Sequence, residues 1–198
     1  MSKNDFNITG HLTISKQYPS GEEEVVFDDH NIIVAGMGVG LSYLFAASGS
    51  TSILDYQIDR FQVGVSGSAA FELSSTQQLV GPLSSTVEYG SGANLYLQST
   101  TQLVGASEVA NRIFALIPAY KITRIGETSV RYTFTLDEGA ANNLTRVGQQ
   151  INLNEVGLFM KNPTGGAINK SILVAYRYFS NIYKTSDFSL VFRWTIHF

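Results

Sequence analysis

The chain is predicted to fold as an antiparallel β-sandwich with one short helix near residues 34–47. Three observations predict it. Apolar residues alternate with polar ones over several short stretches, turn residues punctuate the chain at short spacing, and only one segment has helical periodicity. About eight strands are expected. No Pro/Gly linker divides the 198 residues, so 1–198 is expected to form a single domain around one substantial core.

The elements follow in order. Phe6, Ile8, Leu12 and Ile14 alternate with Asn7, Thr9, His11 and Thr13, the pattern of a strand with one buried face. Pro19 and Gly21 supply a turn, and Val25-Val26-Phe27 returns as the second half of a hairpin. Near Asn31 the pattern changes. Met37, Leu41, Leu44 and Phe45 fall at i, i+4, i+7 and i+8, which is one face of a helix. Gly36, Gly38 and Gly40 weaken its first turn, and glycines there would let it lie close against a sheet.

Ile58, Phe61, Val63 and Val65 form the next strand. The stretch from Phe71 to Ala110 is rich in Ser, Thr, Gly and Gln and reads as an extended loop or arm at about 71–110, ordering on contact with a neighbour. Within it STQQLVG (75–81) is echoed by STTQLVG (99–105), either two equivalent edge segments or coincidence. The second half is mostly strand: Ile113–Ile117, Val130–Leu136, Asn154–Phe159, Ile172–Phe179 and 188–198. In the last, Phe188, Leu190, Phe192, Trp194, Ile196 and Phe198 share a face, leaving Arg193 and His197 on the other.

Composition narrows the function. Charged residues make up 15%, well below the roughly 25% of a typical domain, as suits a surface largely consumed by neighbours. A net charge of −3 lacks the basic footprint of a nucleic-acid binder. Cysteine is absent, which excludes disulfides and thiolate chemistry. No apolar run approaches a bilayer span, and the start, MSKNDFNITG, lacks a signal-peptide core. A soluble protein made in the cytoplasm is therefore expected, with no membrane and no nucleic acid among its partners.

Four patterns invite chemistry. Gly36-Met37-Gly38-Val39-Gly40 follows an apolar run, but the dinucleotide fingerprint needs a glycine at 41, where leucine stands. A packing or flexibility role is expected instead. Asp28-Asp29-His30 reads as a solvated turn with a helix cap, since consecutive strand residues point to opposite faces and cannot chelate together. His11, His30 and His197 are far apart in sequence and lack a nucleophile, with no G-x-S-x-G elbow present. Glu155 is the one carboxylate to watch, and backbone hydrogen bonding is expected for it rather than catalysis. No enzyme, cofactor, metal or catalytic residue is expected.

Aromatics crowd the last 23 residues, and Ile172–Phe179 is apolar on both alternations. Two readings stand: both faces are buried within the chain, or one meets another subunit, where aromatics and Arg are favoured. On the second reading Tyr176, Arg177, Tyr178, Arg193 and His197 are the candidate interface residues.

The order of NIIVAGMGVGLSYLF, IDRFQVGVSG, TQQLVGPL, NEVGLF and ILVAYRYFSNIYKTSDFSLVFRWTIHF resembles that of tailed-bacteriophage virion structural proteins of the tail, baseplate, collar-fibre-base or head-decoration kind. The resemblance spans roughly residues 31–65 and 150–198. It implies a non-enzymatic building block of the virion, assembled in the host cytoplasm, a symmetric homo-oligomer packed against other virion proteins of the tail, baseplate or neck. A capsid decoration (cement) protein is the alternative on the same resemblance. A glycan-binding β-sandwich module is the alternative from another class.

Overall fold

The computed structural model describes residues 7–46, 56–83, 115–161 and 171–198. The described elements are β1 (Thr9–Gln17), β2 (Glu23–Ile33), α1 (Ala35–Phe45), β3 (Ile58–Gly64), β4 (Ala115–Leu116), β5 (Ile122–Arg124), β6 (Ser129–Leu136), β7 (Thr145–Arg146), β8 (Gln149–Gln150), β9 (Leu153–Met160), β10 (Ile172–Ile182) and β11 (Ser189–His197). The fold is mainly β, as the alternation predicts.

Nine strands form one antiparallel sheet in the order β4-β3-β9-β10-β2-β1-β11-β6-β5. It folds over on itself at β2, whose long run with β1 gives way to a short pairing of Ile32 and Ile33 with β10. The result is two layers, β2-β1-β11-β6-β5 and β4-β3-β9-β10. Phe61 of β3 stacks on Phe134 of β6 at 4.0 Å between ring centroids, so strands near opposite ends of the sheet meet face to face. That contact closes the sandwich.

The register places like with like across the core. Leu12 stands opposite Trp194, and Trp194 opposite Tyr132; Ile14 stands opposite Phe192, and Phe192 opposite Phe134. Side chains alternate across a strand, so one register delivers all of these to the same interior. Leu12, Ile14, Phe192, Trp194 and Ile196 have no exposed surface. On the wet side of the same strands lie Thr13, Arg131, Thr133, Arg193 and His197.

Strand β10 is buried on both faces by the chain itself. Val174, Ala175 and Phe179 enter the main core, whereas Leu173 and Tyr176 join Val34, Leu79 and Phe159 in a second, smaller one. Val34, just before α1, and the 79–83 segment cover that outer face, whereas Met37, Leu41 and Leu44 of α1 pack against the main core. The two-sided apolar pattern reflects burial within the chain. Residues 71–83 of the expected arm are docked in this layer, with Leu79 and Leu83 fully buried; residues 84–110 lie outside the described residues, as does the second STTQLVG.

Three local expectations need correction. The hairpin's second strand does not stop at Phe27 but runs to Ile33, so Asp28-Asp29-His30 is strand, not turn. Those polar residues stay in register because their wet face needs no apolar partner. Asn31 does not open the helix. It is buried in β2, where it accepts a hydrogen bond from Trp194 Nε1 at 2.7 Å. The helix starts after Val34 with no side-chain cap, and the free amide of Ala35 donates to the Ser74 carbonyl instead. Phe45 is not on the buried face; it is 83% exposed.

Two of the three helix glycines, Gly36 and Gly40, serve packing. A Cβ at Gly36 would strike the Leu173 carbonyl, and one at Gly40 the Met160 sulfur. Only hydrogen lets α1 approach β9 and β10 so closely.

Candidate functional site

Two buried polar knots, built on Glu155 and Lys184, stand out among the buried polar groups of the described residues. The first is built on Glu155, which has no exposed surface. Its Oε1 accepts from the Gly81 amide at 2.6 Å, and its Oε2 from the Val80 amide at 2.9 Å and the Tyr176 hydroxyl at 3.0 Å. Strand β9 turns Glu155 outward from the main core, β10 delivers Tyr176 beside it, and the 79–83 segment folds down to supply the amides. Gly64 and Gly67 leave the space the carboxylate fills, since a Cβ at either would overlap Glu155. Burial and the adjacent carboxylate together raise the Tyr176 hydroxyl above its ordinary range. With three donors spent on it, the carboxylate acts as a clamp, the backbone-bonded arrangement the sequence suggests.

The second knot joins two connections. Lys184, between β10 and β11, is 1% exposed. Its Nζ donates to Asn142 Oδ1 at 2.8 Å and to the Thr185 carbonyl at 2.7 Å, and lies 5.2 Å from the Phe188 ring centroid. The Asn142 amide in turn donates to the Glu138 carbonyl. Desolvation by burial lowers the Lys184 pKa to about 8, against the opposing pull of Asp137, Glu138 and Asp187. Sequence reasoning missed this pair because lysine in a polar connection reads as solvent-facing. The signal available was parity: Ile182 points in, Tyr183 is half-buried, and Lys184 points in again.

The five candidate interface residues do not converge. Tyr176 lies inside the chain in the first knot and presents no surface. Arg177 spans Asp29 at 2.6 Å and Glu72 at 3.1 Å and covers the Phe27 ring, while the Tyr178 amide donates to Glu72. Arg193 and His197 lie on the wet face of the other layer. Arg193 grips Glu23 with both terminal nitrogens, which holds that carboxyl below its usual range. His197 is exposed, its Nδ1 2.8 Å from Ser129 Oγ.

The three histidines gather more than their separation in sequence suggests. Strand pairing sets His11 opposite His30 and Thr9 opposite His197. His11 Nε2 lies 2.9 Å from Asp28, and hydrogen bonds from Thr13 and His11 lower the Asp28 pKa. Among the described residues no group of His, Asp and Glu is arranged to hold a metal ion. A pocket of about 420 Å³ lies beside α1 between Met37, Leu41, Tyr56, Tyr132, Met160 and Phe198 and is largely apolar. No helix among the described residues is long and apolar enough to cross a membrane.

No protein-family model matches the chain, and no curated protein or solved structure matches it either.

Proposed function

We propose that the protein is a non-enzymatic structural component of a phage virion, an oligomer that packs in the tail, baseplate or neck. The observation that carries the reading is exposed apolar surface on α1: Val39 and Tyr43, one turn apart, are 45% and 38% exposed, and Phe45, on a different side of the helix, is 83% exposed. Phe71 and Leu73, also exposed, add to the apolar surface of the described chain. Exposed aromatic and aliphatic side chains on a sparsely charged protein favour burial against a neighbour. The internal polar groups support the same reading. Glu155 and Lys184 are both spent on holding the chain together, and neither lines the pocket beside α1.

Size-exclusion chromatography with light scattering on the full chain tests this. A discrete multiple of 21.6 kDa is expected, reduced in mass by Tyr43→Ser together with Phe45→Ser. A strict monomer that associates with no virion fraction refutes it.

A further inference from the structure

The Lys184–Asn142 contact is more elaborate than a buried lysine requires. Replacing a buried charge by an apolar side chain of similar size is often neutral or stabilising, yet here the fold is shaped around the ammonium. Ala141 and Asn143, on either side of Asn142, both sit in the left-handed region at φ 54° and 50°, where residues other than glycine are uncommon. The Asn143 amide donates to the Lys184 carbonyl at 2.8 Å, so the loop is tied to Lys184 through backbone as well as side chain. The orientation of the Asn142 amide is forced. An ammonium only donates, so the oxygen faces Lys184, and the Glu138 carbonyl only accepts, so the nitrogen faces Glu138.

This arrangement is that of a nucleophile held against an acyl group. The amide carbon lies about 1.2 Å from its oxygen, which keeps Lys184 Nζ within roughly 4 Å of Asn142 Cγ, close to attack distance. Burial holds much of the amine near its neutral, nucleophilic form around pH 8, and Phe188 shields it from competing water.

We propose that Lys184 and Asn142 join in an intramolecular isopeptide bond. Lys184 Nζ attacks Asn142 Cγ, a carbon–nitrogen bond forms, and the Cγ–Nδ2 bond breaks. One proton passes from Nζ to the departing nitrogen, which leaves as ammonia, so no oxidant or external reactant is needed. Asp137, Glu138 and Asp187 are the carboxylates whose charge reaches the amine. This inference is independent of oligomeric state and stands or falls apart from the virion reading.

The test is the intact mass of the purified full chain, held at pH 8, followed by peptide mapping. We expect a mass lower than the sequence requires by one ammonia, ~17 Da. A branched peptide joining residues 142 and 184 should account for it, and Lys184→Arg or Asn142→Ala should restore the unmodified mass. An unmodified mass for the native chain overturns the proposal without need of any variant. So does loss of ammonia confined to a single linear peptide, the signature of a succinimide.

Discussion

Replacing Glu155 by glutamine isolates the clamp with almost no change of shape. The carboxylate has two acceptor oxygens for three donors, whereas the amide has one oxygen and an NH2 that donates. If the remaining oxygen stays on Gly81, the new NH2 confronts the Val80 amide; Tyr176 can turn its hydroxyl and accept, but Val80 cannot. If the amide flips, Gly81 is stranded instead. Either way one buried backbone N–H loses its partner, a cost of about 1–3 kcal/mol. Relief from burying a charge offsets part of this, and weaker bonds to a neutral acceptor add to it. A net loss of about 2 kcal/mol is expected, or a urea midpoint lowered by roughly 1 M with the slope unchanged. Trp194, the single tryptophan and fully buried, reports the transition by fluorescence. Faster amide exchange at Val80 and Gly81 should accompany it. An unchanged midpoint would refute the clamp; a hydrolytic activity abolished by the same substitution would replace it with a catalytic role.

Two further outcomes follow from the packing and the tyrosines. Gly38 faces open space, so Gly38→Ala should stabilise by up to about 1 kcal/mol through helix propensity, while Gly36→Ala, driven into the Leu173 carbonyl, should destabilise by about 1–3 kcal/mol; equal effects in thermal melts would contradict the close approach of α1 to β10. Burial raises the Tyr132 hydroxyl above 10.0, and burial with Glu155 does the same for Tyr176. Above pH 10 the unfolded chain therefore releases protons that the folded one keeps, and stability, intact below that point, falls by about 1.4 kcal/mol per tyrosine at pH 11. Compared with the native chain at each pH, Tyr132→Phe should remove about 1.4 kcal/mol of that decline at pH 11 in denaturant titrations across pH 9 to 11.

The strands were legible because one face of each is apolar, and Leu12, Ile14, Phe192 and Trp194 carry that period without interruption. Strand β2 was cut short at Phe27 because its polar continuation resembles a turn, and only pairing with β1 keeps Asp28 to Asn31 extended. Asn31 itself depends on Trp194, 163 positions away, a partner no local pattern reveals. The two-sided burial of β10 could not be decided from β10 alone. It depends on Val34 and on Leu79, which a Ser/Gln-rich segment disguises. Glu155 was recognisable as a carboxylate set in a strand, but its donors come from residues 74 and 75 positions earlier. Lys184 was hidden by residue type, since burial of a lysine is set by its surroundings rather than by its own preference.

The position of β11 bears on how the chain comes to fold. It lies between β1 and β6, an interior place in the sheet although it is the last strand in order. Thr9 pairs with His197, so β1 waits on residues synthesised almost the whole described length later. Until they arrive, β1 and β6 each present an unpaired edge bearing Leu12, Ile14, Tyr132 and Phe134, the kind of surface that recruits other chains. A nascent chain is therefore exposed to misassembly from the emergence of β1 until β11 closes the gap.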